Sequence, residues 1–284
     1  MQKAKAMTMT GKTVLITGGS AGIGAFTAAR LAELGAHVVV SCRDIEKGRR
    51  YFTDHAAANI DILPLELGSF SSIRAFVAHV LSRCPKIDVL INNAGRLPLE
   101  YSLTEDGYES TFGVNFLGHF LLTQLLLDRL IASAPARIIH VSSAVHTRAT
   151  PEIEAFFAPS NEREKNFRWM KHYSQSKLAN ILYSNWLAEQ LSGTGVTSNA
   201  LHPGMVNTEI IRGFPCWMEW GWKWVSKTPQ QGAQTSVYLA SNEELRELSG
   251  LYFVNCKPAK TARFAQDTSL ALALCQRSLV EVGV

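Results

Sequence analysis

A short apolar run that empties into glycines sets the terms for the whole chain. Thr13-Val-Leu-Ile-Thr17 reads as a buried strand, and Thr17-Gly-Gly-Ser-Ala-Gly-Ile-Gly24 follows at once, ahead of a helical pattern from Ala21 to Leu34. Glycines 18, 22 and 24 stand in the spacing G-x-x-x-G-x-G. A tight strand-to-helix turn needs positive φ angles, and a backbone that approaches a pyrophosphate closely tolerates no Cβ. The helix start that follows offers free N–H groups and a partial positive charge. A plain glycine turn is the bland account. The position after a first strand and before a helix favours a nucleotide site.

The rest of the chain repeats that unit. His37-Val-Val-Val-Ser41, Ile60 to Leu67, Asp88-Val-Leu-Ile-Asn92 and Arg137-Ile-Ile-His-Val-Ser142 read as further strands, with Val196 to Leu201 and Leu251 to Val254 later. Helical patterns separate them at Ala21 to Leu34, Ser71 to Leu81, Gly107 to Ile131, Tyr173 to Leu191 and Pro229 to Ala240. Continuous apolar strands alternating with helices predict right-handed crossovers and a parallel sheet covered on both faces. The expected fold is α/β: one Rossmann-type, doubly wound domain over residues 1–284. Residues 144–172 form a long charged insertion broken by Pro151 and Pro159. Residues 205–228 form a second irregular stretch, and Gly213 to Val225 within it holds four of the six tryptophans.

Composition removes other classes. Apolar residues at 46% and charged residues at 18% suit a globular domain with a real core. A net charge of +4 gives no reason to expect a nucleic-acid partner. Cys42, Cys84, Cys216, Cys256 and Cys275 are odd in number and hold no CxxC pair, so they read as reduced thiols in a cytoplasmic compartment, with no zinc site or other metal. Met1 to Gly11 is polar, against a secretory signal. No uninterrupted apolar run reaches the ~18 residues of a membrane span. A peripheral membrane contact stays open.

The end of the second strand addresses which dinucleotide binds. An NAD site places Asp or Glu there for the ribose hydroxyls. Here Cys42 holds that position and Arg43 follows, with Lys47 one helical turn on. A guanidinium without a competing carboxylate suits a 2′-phosphate, so NADP(H) is the expected cofactor. An ordinary solvated helix face is the alternative for these cations.

Chemistry enters with Tyr173-Ser-Gln-Ser-Lys177. The i, i+4 spacing puts Tyr173 and Lys177 on one helix face. A free tyrosine, pKa about 10, exchanges protons poorly at neutral pH, and a neighbouring ammonium should lower that value. Tyr173 then serves as general acid in carbonyl reduction and general base in alcohol oxidation. His140-Val-Ser-Ser143 ends the fifth strand, where a serine hydroxyl can bond a substrate oxygen, and Asn92-Asn-Ala-Gly95 ends the fourth. Asn115 sits among apolar neighbours in a helical pattern. Its amide needs partners there, whether in a relay or as a core asparagine bonded to backbone.

The glycine loop, Asn-Asn-Ala-Gly, Asn115, Ser-Ser, Tyr-x-x-x-Lys and His202-Pro-Gly204 occur in that order, and the set resembles the short-chain dehydrogenase/reductase family from about residue 11 to residue 255. Ser41-Cys-Arg-Asp44, Asn115-Phe-Leu-Gly-His-Phe-Leu-Leu-Thr123, Ser143-Ala-Val-His146, Ser176-Lys-Leu-Ala-Asn180, Ser249-Gly-Leu-Tyr-Phe253 and Cys256-Lys257 look like its retinol dehydrogenase-like branch. The resemblance implies a catalytic tetrad of Asn115, Ser143, Tyr173 and Lys177. Ser143 would orient the substrate oxygen and Tyr173 transfer the proton. Lys177 would hold the nicotinamide ribose, and Asn115 support a water relay. It implies cofactor contacts at Gly18, Ser20, Gly22, Ile23 and Gly24, at Glu66 and Leu67, at Asn93 and Gly95, and at Pro203, Gly204 and Thr208, besides Tyr173 and Lys177. Glu66 departs from the family's aspartate at the adenine. Residues 205–228 would be a substrate lid.

The expected activity is carbonyl–alcohol interconversion on a hydrophobic small molecule: retinoid, steroid, aromatic or long-chain. One rival is a non-catalytic sensor or scaffold on the same fold, which an absent Tyr or Lys would favour. Another is a nucleotide-sugar epimerase or dehydratase, for which the roughly eighty residues after His202 are too few to build a substrate domain. The sequence assigns no oligomeric state.

Overall fold

Among the described residues, eight strands form one sheet in the order β3-β2-β1-β4-β5-β6-β7-β8, parallel except for the last pair. The strands are β1 (Thr13–Thr17), β2 (His37–Cys42), β3 (Ile60–Pro64), β4 (Val89–Asn92), β5 (Ala136–Val141), β6 (Val196–His202), β7 (Tyr252–Val254) and β8 (Lys257–Pro258). The computed structural model describes residues 8–54, 59–157, 164–206 and 226–284. The helices are α1 (Gly22–Glu33), α2 (Ile45–Asp54), α3 (Phe70–Arg83), α4 (Ser110–Phe112), α5 (Gly118–Ala132), α6 (Ile153–Phe157), α7 (Trp169–Gln190), α8 (Pro229–Ser241) and α9 (Thr268–Val282).

Alternate side chains of each strand enter two cores, one per sheet face. Val14 and Ile16 join Val38, Val40, Ala28, Leu31 and Val237 on the α1/α8 face. Leu15 and Val39 join Ile73, Phe116, Phe120, Leu182 and Leu274 on the other. Burial on both faces explains why the strands lack polar alternation. The single doubly wound α/β domain expected from the sequence is the one observed. Strand order reverses between β2-β1 and β4-β5, which opens a crevice beyond the ends of β1 and β4.

Several boundaries differ for identifiable reasons. β3 stops at Pro64, three residues short of the predicted end, because the next residues cap a helix. The Glu66 N–H donates to Ser72 Oγ at 3.0 Å, and Ser69 accepts from the Ser72 N–H. The pattern Gly107 to Ile131 is not one helix. Gly107 turns with φ +83°, and the Glu109 carboxylate accepts from Thr111 and Phe112 N–H groups. Helix therefore starts at Ser110, and a π-helical turn spans Gly113–Leu117. The segment Ser110–Ala132 has the length and mean hydropathy of a membrane span, but 78% of its most apolar stretch is buried within the fold, as a core element. α7 begins one turn before Tyr173.

The sequence reading did not include α9. Asp267 caps it at the Leu270 N–H, 3.0 Å, and Gly283 ends it at φ +68°. Its Leu270, Leu274 and Cys275 pack on α7, and each fully buried leucine contributes roughly 1.5–3 kcal/mol. Cys42, Cys84, Cys256 and Cys275 are free thiols, whereas Cys216 falls outside the described residues.

Candidate active site

At the crevice the ends of β1 and β4 are tied together. Thr17 Oγ accepts from the backbone N–H groups of Asn93 and Ala94 at 2.9 and 3.0 Å, and Asn93 Nδ2 donates to the Thr17 carbonyl at 2.7 Å. Gly18 takes φ +67°, and a Cβ there would lie 2.8 Å from Ala94 Cα. A Cβ on Gly24 would lie 2.3 Å from the Gly18 carbonyl oxygen. The glycines thus serve close backbone packing before any ligand arrives. Gly22 and Ile23 open α1, Ser20 stands half-buried beside them, and no side chain caps the helix. Its first N–H groups face the crevice end, as an anion cradle requires.

Beyond β2, the Cys42 thiol donates to the Asp44 carbonyl at 3.3 Å and bonds Ser20; burial pushes its pKa up, so it stays neutral. Arg43 is exposed, its Nε 3.9 Å from Glu66 Oε2. The other Glu66 oxygen accepts from the Gly68 N–H at 2.8 Å, so this carboxylate is turned onto its own loop. Leu67 is buried in the core. Lys47 is half-buried, its backbone N–H bonded to Asp44 Oδ1 at 2.9 Å. Gly95 is exposed at the end of the β4 loop.

Beyond β5, the two serines divide their work. Ser142 is buried and donates to the Lys177 carbonyl at 2.6 Å. Ser143 reaches the Tyr173 hydroxyl by a side-chain hydrogen bond, which pulls the phenol pKa down. Burial outweighs that pull and raises Tyr173 to about 12. The expectation that Lys177 would lower the tyrosine is therefore corrected for the protein as it stands. Lys177 Nζ donates to the Val141 carbonyl at 2.9 Å and sits 5.5 Å from the tyrosine ring centroid, and burial lowers its own pKa to about 8.

Asn115 lies in the π turn, fully buried. Its Oδ1 accepts from the Arg96 N–H at 2.8 Å; its Nδ2 donates to the Arg96 carbonyl and to Ser176 Oγ, both at 3.1 Å. Its side chain thus clamps the Arg96 backbone and reaches the Ser176 hydroxyl. Pro203 and Gly204 follow β6, and Gly204 turns with φ +96° against Lys227. Thr208, Phe214 and the tryptophans 217, 220, 222 and 224 lie outside the described residues, as does most of 205–228. Of the insertion 144–172, residues 158–163 lie outside them too.

Two histidines escaped the sequence reading, although both stood in the branch-like stretches. His146 Nδ1 bonds the Ser143 carbonyl at 2.8 Å, and its Nε2 accepts from the Ala262 N–H at 3.1 Å. His119 stands behind Asn115 and Thr17.

A family model described as short chain dehydrogenase matches residues 12–159. Retinol dehydrogenase 14 of Mus musculus is 43% identical, covering 97% of this chain and 87% of that protein. Retinol dehydrogenase 13 of Homo sapiens is 40% identical, covering 98% and 86%. Among solved structures, an uncharacterised protein from Mycobacterium Paratuberculosis is 32% identical at a TM-score of 0.79, covering 98% of this chain and 96% of that one. The Pseudomonas aeruginosa RhlG/NADP active-site complex is 25% identical at 0.71, covering 88% and 97%. The chain belongs to the short-chain dehydrogenase/reductase family. It is an oxidoreductase of the retinol dehydrogenase-like branch.

Proposed function

We propose that this oxidoreductase is NADP(H)-dependent and interconverts a carbonyl and an alcohol on a hydrophobic substrate. The observation that carries the reading is the meeting of Ser143, Tyr173 and Lys177 at the end of β5, beside the glycine-loop crevice. A dinucleotide fits the residues present. The uncapped α1 start takes the pyrophosphate, Arg43 takes the 2′-phosphate beside a neutral Cys42, and Asn93 with Gly95 borders the ribose. When bound, the nicotinamide supplies hydride in reduction and accepts it in oxidation.

The chain's own groups manage the proton. The Ser143 hydroxyl donates to the substrate oxygen and orients it. Tyr173 gives its phenolic proton to that oxygen during reduction and takes it back during oxidation. Lys177 stabilises the phenolate in the transition state, where the charge exists, although not in the resting protein.

The apolar substrate class rests on the Trp-rich sequence 213–225 beside His202-Pro-Gly204 and on relatives that carry the name retinol dehydrogenase. The test is turnover with NADPH and NADH over retinoid, steroid, aromatic and aliphatic carbonyls. Turnover on an apolar member, with NADPH preferred, is expected; cofactor binding without turnover on any member rejects the reading. Replacing Trp217 and Trp220 by alanine should raise KM for the bulky substrate at unchanged Kd for NADPH. Unchanged kinetics with lost liposome binding would assign the segment to a membrane contact instead.

A further inference from the structure

His119 is fully buried behind the candidate active site and contacts two parts of it. Its Nε2 lies 2.8 Å from Thr17 Oγ and its Nδ1 lies 3.1 Å from the Asn115 carbonyl oxygen. The proton positions follow from counting. Thr17 Oγ already accepts two hydrogen bonds, from the N–H groups of Asn93 and Ala94. Both lone pairs are used, so the hydroxyl must give its own proton. The nearest acceptor is His119 Nε2 at 2.8 Å; the alternative, the Ile91 carbonyl, is 3.5 Å away. Nε2 is then an acceptor, and the one proton of a neutral imidazole sits on Nδ1 and is donated to Asn115. The other tautomer would ask Thr17 Oγ for a third acceptance and set a nitrogen lone pair against a carbonyl oxygen.

This bond closes a ring. Thr17 holds the backbone of Asn93 and Ala94, and the chain runs on to Arg96. Asn115 holds the Arg96 N–H and carbonyl with its side chain. The Asn115 carbonyl meets His119, and His119 returns to Thr17. A branch leaves the ring through Asn115 Nδ2 to Ser176 Oγ, which donates to the Tyr173 carbonyl at 2.8 Å. The π turn brings the members into reach: the Gly118 N–H bonds back to Gly113, which widens the helix at Asn115.

We propose that His119, as the neutral Nδ1–H tautomer, is a positioning residue that locks the nucleotide-side loop 93–96 to the Asn115 turn and, through Ser176, to the helix carrying Tyr173 and Lys177. The inference rests on the proposed reduction chemistry for its kinetic consequence, not for its geometry. Lys177 and His140 are the charged and titratable groups that face the imidazole, and burial holds it down at about 4, so it stays neutral at working pH.

The test compares two amides. In His119→Asn the side-chain nitrogen overlays Nδ1 and can still reach the Asn115 carbonyl. In His119→Gln the amide oxygen overlays Nε2 and accepts from Thr17 only. Misplaced catalytic groups cost about 10–100-fold in rate. Each variant keeps one half of the ring and opens the other, so each should lose that much kcat, with KM and the Kd for NADPH nearly unchanged. Full kcat in either variant overturns the proposal. Imidazole ¹⁵N spectra of the wild-type protein provide a second arm that needs neither activity nor a folded variant. An Nδ1–H signature that does not titrate from pH 5 to 8 supports the ring. An Nε2–H signature, or titration in that window, overturns it. A wild-type protein with the Nδ1–H signature and no turnover on any carbonyl refutes the proposed activity and leaves the ring standing.

Discussion

The nucleotide side of the crevice and its reaction side are built by different means. On the nucleotide side, backbone meets backbone. Gly24 backs onto the Gly18 carbonyl, Gly18 onto Ala94, and Thr17 bonds two main-chain N–H groups. The charged side chains there lie at the rim: Arg43 stands in solvent with Glu66 3.9 Å away. On the reaction side, buried titratable side chains are held by carbonyls. Lys177 reaches Val141, His146 reaches Ser143 and His119 reaches Asn115. The first construction tolerates pH and fails on added volume; the second tolerates little change in protonation. Charge in a low-dielectric interior costs more than a displaced methyl group, so the reaction side should be the more fragile.

The largest expected effect is on that side. Tyr173→Phe keeps the ring and removes the proton donor, so turnover should fall by about 10²–10⁴-fold with NADPH binding nearly intact. Single-turnover kinetics beside a fluorescence titration of NADPH measure both. Near-normal turnover would mean that another group is the acid.

Acid should find the reaction side next. Burial lowers His119 to about 4 and His140 to about 3 from an ordinary 6.5. The unfolded chain protonates these rings below pH 6.5 while the folded one excludes the proton. The stability they contribute is therefore complete above 6.5 and drains away as pH falls toward 4. Each ring accounts for up to about 3 kcal/mol across that window. Urea midpoints from pH 7 to 4.5 should fall steeply, and less steeply in His140→Leu. Equal slopes in the two proteins would remove His140 from the account.

The same contrast explains what the sequence disclosed. Gly18, Gly22 and Gly24 were legible because a left-handed or crowded backbone position admits little else, and the spacing is local. Tyr173 and Lys177 were legible because i, i+4 on a helix is local too. The clamps at His119 and His146 were not, since their second partners, Thr17 and Ala262, lie 102 and 116 residues away. The π turn at Gly113–Leu117 was hidden by an unbroken apolar pattern, and the tyrosine pKa by burial that no spacing reveals. α9 carried its signals openly, Asp267 before and Gly283 after, and could have been read.

Arg43 tests the nucleotide side. Arg43→Ala should cost roughly 1.5–3 kcal/mol, or about one to two decades, in NADPH affinity. NADH, which lacks the phosphate, should change far less. Equal losses for the two cofactors would make Arg43 an ordinary surface residue, balanced by Glu66 3.9 Å away.

The smallest effect asks both sides at once. Lys177, lowered to about 8, is charged below that pH and neutral above it, whereas Tyr173, raised to about 12, stays protonated through the same range. Carbonyl reduction needs the phenol proton and an ammonium to stabilise the phenolate left behind. Reduction should therefore fall as pH rises through 8, by about ten-fold at pH 9, one unit above that value. The Kd for NADPH, carried mainly by contacts to the phosphates, should change less than the rate does. Lys177→Arg would move the falling limb beyond pH 9 if the charge alone sets it. A reduction rate that stays flat from pH 7 to 9 in the wild-type protein would show that Lys177 keeps its proton during turnover, and that its burial next to Val141 is relieved once cofactor and substrate are in place.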